Sequence, residues 1–93
     1  MTVLNKVDLD QAKIEADLKN LVIRVLRIEI APAAIQHDTS PFDLGADSMS
    51  VVDLFLAMED QFGIKLNDDE LSPAVLTNFG TMLGFVIKKL ESA

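Results

Sequence analysis

The sequence predicts an all-α fold: a small four-helix bundle with three longer helices, one short helix and a long first loop. Three observations lead there. Apolar residues recur at helical spacing in three windows, and helix-start and helix-stop residues punctuate them. β alternation is confined to Gly63-Ile64-Lys65-Leu66. At 93 residues the chain makes one domain, 1–93, near the lower limit for a core that needs no staples.

Asp8 or Asp10 caps the first helix, which runs to about Ile28, and Asp8 with Gln11 has capping-box spacing. At about 100° per residue, Ile14, Leu18, Leu21, Val25 and Ile28 fall within one arc of roughly 80°, a core stripe. Pro32 and Pro41 bracket a loop from about Glu29 to Ala46 that is longer than bundles usually carry, and such loops are often functional. The second helix spans about Ser48 to Phe62 and stops at Gly63. Asn67 or Asp68 starts the short helix, broken near Ser72-Pro73. Thr77 or Asn78 caps the last helix, which ends near Leu90 and has the stripe Leu76, Phe79, Leu83, Val86, Ile87 and Leu90. Gly80 and Gly84 inside it cost about 1 kcal/mol each relative to alanine, which predicts close approach to a neighbouring helix or a soft helix.

Composition excludes several function classes. Without cysteine there is no disulfide and no thiolate metal site, and the single His37 argues against a zinc site or a serine–histidine pair; no metal is expected. The net charge of −7 is concentrated: residues 38–70 hold nine acids and one base, Lys65, while the rest is close to neutral. Nucleic acid and anionic membranes are disfavoured as partners, and basic protein surfaces are favoured. No signal peptide is evident, and no apolar run approaches the roughly 20 residues that span a bilayer. These features predict a cytoplasmic monomer with no membrane insertion.

The second helix carries two apolar faces. With Ser48 at zero and about 100° per residue, Val51, Leu54, Phe55, Met58 and Phe62 cluster near 300°, the predicted core face. Met49, Val52 and Leu56 cluster near ~70°, flanked by Asp53, Glu59 and Asp60. A helix of a lone domain needs one buried stripe, so a second one rimmed by carboxylates predicts a docking surface.

Ser48 is the one candidate reactive centre. Most serines at helix starts only cap, but Asp47 can cap here as well and leave Ser48 for other work. A hydrolase elbow would need glycines where Ala46 and Ser50 stand, and no base is near in sequence. A phosphate ester suits the site better, because free N–H groups and the helix dipole favour an anion there.

Residues 41–62, with Asp-Leu-Gly-Ala-Asp-Ser-Met followed by Val-Val-Asp-Leu-Phe-Leu-Ala-Met-Glu-Asp-Gln-Phe, strongly resemble the acyl carrier protein family of phosphopantetheine-binding carriers. The likeness continues through Gly63-Ile64-Lys65-Leu66-Asn67-Asp68-Asp69-Glu70 and into the last helix; the first helix is similar by position and pattern only. The resemblance implies 4′-phosphopantetheine, delivered from coenzyme A by a phosphopantetheinyl transferase and attached covalently to Ser48 between Asp47 and Met49. Acyl intermediates would ride on the arm as thioesters. Chain-extending and acyl-transferring enzymes with basic patches would dock on Met49, Val52, Asp53, Leu56, Glu59 and Asp60. Acyl chains would withdraw among Leu54, Phe55, Met58, Phe62 and Leu83. The chain would then be a carrier and a substrate of enzymes, not an enzyme.

Met49 stands where the family usually has leucine, and Ser50 where it commonly has an acid. Fatty-acid synthesis and a specialised lipid or polyketide pathway are both compatible with that pattern. An aminoacyl or peptidyl carrier of the same fold, or an unmodified interaction subunit, are the alternatives.

Overall fold

Asp10 opens the described part of the molecule: the structure, a computed structural model, describes residues 10–92. The Asp10 carboxylate accepts the Lys13 N–H at 3.1 Å and caps helix α1 (Gln11–Leu26). Asp8, the other candidate, and its pairing with Gln11 lie outside the described residues. The helix ends two residues before Ile28, because Arg27 turns into the left-handed region at φ 55°. A non-glycine residue there costs about 1–2 kcal/mol.

Along α1, Ile14, Leu18 and Leu21 are buried as expected, and so is Val22, while Val25 and Ile28 are only half-buried. The buried face is wider than one stripe because α1 packs against both of the other α-helices. The long loop is not featureless. It contains two 3-10 turns, Pro32–Ala34 and Pro41–Leu44, each opened by a proline at the position whose N–H would lack a partner anyway. Between them Ile35 is fully buried and ties the loop to the core.

Helix α2 (Ser48–Phe62) spans the expected residues and ends on Gly63 at φ 65°. Leu54, Phe55 and Met58 are buried, with Val51 and Phe62 half-buried beside them. After α2, Ile64 and Leu66 insert into the core.

The predicted short fourth helix is corrected. The segment forms two 3-10 turns, Asp68–Glu70 and Pro73–Leu76, so the described residues contain three α-helices and no strand. Pro73 holds Ser72 in extended backbone (φ −119°, ψ 142°), and neither turn can propagate through it.

Helix α3 (Phe79–Ser92) runs two residues past Leu90. Asn78 caps it, accepting the Thr81 N–H at 2.8 Å, whereas the Thr77 hydroxyl donates to the Ala74 carbonyl. Its first amides dock the long loop: Phe79 N–H donates to Thr39 O at 2.7 Å and Gly80 N–H to His37 O at 2.8 Å. A Cβ on Gly80 would meet that His37 carbonyl oxygen at 3.1 Å. The close approach is therefore to the loop, not to a helix. Around Gly84 a Cβ would meet nothing within 4 Å, so this glycine only softens the helix. Phe79, Leu83 and Val86 are buried as expected, joined by Met82, while Ile87 and Leu90 are half-buried.

Candidate functional site

The start of α2 is built in three steps. The Ser40 hydroxyl accepts the Phe42 N–H and opens the Pro41–Leu44 turn, whose buried Pro41 anchors it. Gly45, at φ 105°, closes the turn with its N–H on Phe42 O, and Ala46 N–H reaches Pro41 O at 3.0 Å. Asp47 then lies extended, and one of its carboxylate oxygens accepts Met49 N–H at 3.1 Å, Ser50 N–H at 2.9 Å and the Ser50 hydroxyl at 3.0 Å. The Ser50 N–H, then the Ser50 hydroxyl, hold the Asp47 carboxyl below its usual range. Asp47 is thus the cap, and Ser48 is the first residue of the helix proper.

That division leaves Ser48 unlike the other four serines. Ser40 and Ser72 each accept a backbone N–H two residues on, Ser50 donates to Asp47, and Ser92 donates to the Lys88 carbonyl. The exposed Ser48 hydroxyl has no hydrogen-bond partner among the described residues. A hydroxyl with no internal bond to break, on the first residue of a helix, is free to form an ester bond.

The two faces of α2 separate as predicted. Met49, Val52 and Leu56 are 78%, 55% and 57% exposed, whereas Leu54 is fully buried. What periodicity did not show is the seam between them. A cleft of about 170 Å³ opens between α2 and the segment after it, lined by Val51, Val52, Phe55, Leu56, Glu59 and Leu71. At ~100° per residue, its five α2 residues run from ~300° through zero to ~80° and so centre on the meridian of Ser48. They begin one turn from it. The cleft therefore descends the helix from the free hydroxyl.

Phe55, expected both on the core face and in the acyl pocket, is buried and lines the cleft; Val52, Leu56 and Glu59 were expected only as docking residues, Val51 only as core, and Leu71 was given no role. Leu71 was legible only as a lone apolar residue between Glu70 and Ser72, and its role depends on a fold-back that periodicity does not report. Of the acyl-pocket candidates, Leu54, Met58 and Leu83 are buried in the core cluster and Phe62 packs at its edge; none of these four lines the cleft. Asp53 and Asp60 are exposed, as a rim requires. Glu59 is half-buried instead, and its carboxylate accepts the Leu66 N–H at 2.8 Å. Among the described residues no three acidic or histidine side chains cluster as metal ligands, and no helix is long and apolar enough to cross a membrane.

The phosphopantetheine attachment site family model matches residues 16–84, which include all of α2 and its cap. The chain belongs to the acyl carrier protein family. An acyl carrier protein of Sulfurovum sp. is 34% identical over 77 residues, covering 82% of this chain and 92% of the relative. One of Helicobacter acinonychis is 30% identical over 70 residues, 75% of this chain and 86% of the relative. A third, of Campylobacter hominis, is 38% identical over 55 residues, 58% and 67% of the two chains. No solved structure matches. Family membership makes the chain a carrier rather than an enzyme, with covalently attached 4′-phosphopantetheine as its prosthetic group. The residues at the head of α2 fit that group: the unbonded Ser48 hydroxyl would offer the ester oxygen, and the cleft below it an apolar surface.

Proposed function

We propose that Ser48 carries the phosphopantetheine arm and that the cleft below it receives the first carbons of the acyl cargo. The observation that supports this most is the Ser48 hydroxyl, the one serine hydroxyl without a hydrogen-bond partner among the described residues. The arm supplies a thiol, absent from the chain itself, on which cargo rides as a thioester. Everything else falls to side chains. Asp47 holds the first turn of α2 so that the Ser48 hydroxyl stays exposed through the transfer from coenzyme A. Val51, Val52, Phe55, Leu56 and Leu71 remove apolar carbons from water. A cavity of ~150 Å³ accepts a ring of six carbons, so this cleft covers the proximal part of a chain and leaves a longer one to lodge deeper, toward Leu54, Met58, Phe62 and Leu83. The 3-10 segment 68–76 takes the place of the family's short helix.

Partner enzymes dock on Met49, Val52 and Leu56, with Asp53 and Asp60 steering basic patches toward them. The transferase is one such partner; acyl-transferring and chain-extending enzymes of fatty-acid, specialised lipid or polyketide synthesis are the others. The test is intact mass after incubation with coenzyme A and a broad-specificity phosphopantetheinyl transferase. One added arm is expected, abolished by Ser48→Ala with helicity unchanged. Modification of Ser40, Ser50 or Ser72 would overturn the assignment.

A further inference from the structure

Glu59 is the one cleft-lining side chain that is charged, and one of its carboxylate oxygens holds a backbone amide. Beyond Gly63 the chain reverses, and Ile64 and Leu66 turn into the core. The reversal leaves the Leu66 N–H aimed back at α2, where Glu59 Oε2 accepts it at 2.8 Å in a partly buried bond. Farther on, Glu70 Oε1 accepts both the Asn67 N–H and the Lys89 ammonium, each at 2.8 Å. The segment 64–71 is thus fastened twice, to α2 by Glu59 and to α3 through Glu70. Leu71, which forms the outer wall of the cleft, hangs from this segment.

Glu59 therefore lines the inner wall and also ties Leu66, at the start of the segment that carries the outer one. We propose that Glu59 is a positioning residue that sets the gap between α2 and the Leu71 wall, and thereby how bulky a cargo the cleft below Ser48 accepts. This rests on the reading of Ser48 as the attachment point and of the cleft as the seat of the cargo. It also separates Glu59 from Asp53 and Asp60: those two face solvent, whereas one oxygen of this carboxylate is used internally.

The tie and the cargo effect are read separately. In the unloaded protein, hydrogen exchange of the Leu66 amide should accelerate about 10- to 100-fold in Glu59→Ala, the scale for losing a hydrogen bond to a charged acceptor, and less in Glu59→Gln, which keeps an acceptor oxygen. Nuclear Overhauser contacts between the Leu71 and Leu56 methyls should weaken in the same order. Asp68→Asn, which neutralises an exposed acid on the same segment, should leave both readouts unchanged. The proteins are then loaded by the transferase from hexanoyl- or dodecanoyl-coenzyme A, which leaves the acylated phosphopantetheine on Ser48 and releases 3′,5′-adenosine diphosphate, and thioester release by hydroxylamine is timed. The ratio of the two release rates should change in Glu59→Ala and return toward wild type in Glu59→Gln.

Accelerated exchange with an unaltered ratio would make Glu59 a structural tie only and overturn the proposal. Unaltered Leu66 exchange would overturn it earlier, whatever the cargo does. If Ser48 takes no arm, loading fails while the exchange and methyl readouts still stand, so the attachment reading falls and the tie does not; the cargo-sizing role falls with the attachment reading.

Discussion

Gly80 and Gly84 stand one turn apart in α3, and replacing each by alanine should move stability in opposite directions. Both substitutions gain helix propensity, about 1 kcal/mol in an exposed helix interior. At Gly84 nothing opposes the gain: the position is exposed and an added Cβ meets no atom within 4 Å. Gly84→Ala should therefore stabilise by about 1 kcal/mol, or roughly 4–8 °C in Tm for a domain of this size. At Gly80 the new Cβ meets the His37 carbonyl oxygen at 3.1 Å and the His37 Cβ at 3.3 Å.

That backbone cannot yield cheaply, because its carbonyl holds the Gly80 N–H and the next anchor, Thr39 O, holds the Phe79 N–H. The loop is also braced from within, with Gln36 N–H on the Thr39 hydroxyl at 2.9 Å and Thr39 N–H on Gln36 O at 3.0 Å. Moving His37 by a few tenths of an ångström weakens two hydrogen bonds, each worth about 0.5–1.5 kcal/mol net. It also disturbs the stack of the His37 ring on Phe79, with centroids 6.2 Å apart. The propensity gain is smaller in the first turn, so Gly80→Ala should destabilise by about 1 kcal/mol. Thermal unfolding followed by circular dichroism on the two single variants reads the difference directly. Equal stabilisation by both would show that the loop is not held where the structure has it, and the account of Gly80 would be refuted.

Three further outcomes are expected. Leu56→Asp and Val52→Asp should leave the fold intact while cutting the transferase modification rate more than about 10-fold, whereas Leu54→Ala should cost about 2–5 kcal/mol in chemical denaturation; melting of Leu56→Asp with Leu54→Asp intact would mean the faces of α2 are exchanged. The Asp47 carboxyl is held low mainly by the Ser50 N–H, so its contribution is complete above an unfolded value of about 3.9 and drains away as pH falls through the lower folded value. Asp47→Ala, less stable at neutral pH, should accordingly lose less stability than wild type in acid titrations followed by circular dichroism; parallel curves would count against the cap. Nine acids against one base in residues 38–70 repel one another, so added salt or a divalent cation should raise the Tm, and indifference to both would remove that argument.

Much of this protein is written in short-range sequence. Capping depends on side chains within three residues of the amides they satisfy, so Asp10, Asp47 and Asn78 were among the candidates before any packing was known. Helical spacing likewise separated Leu54 from Leu56, because angular position along a helix is a local property. The family motif lies within one such stretch.

Tertiary structure decided what each direction meets. Val22 and Met82 are buried because two neighbours, not one, cover their helices. Gly80 faces a loop some forty positions earlier, a proximity no local pattern encodes. The segment after α2 folds back on it, and that reversal creates the cleft under Ser48 and turns Glu59 from a rim charge into the tie of Leu66. Local backbone energetics specify which way a side chain points. Only contacts between distant parts of the chain determine whether it finds solvent, core or a partner there.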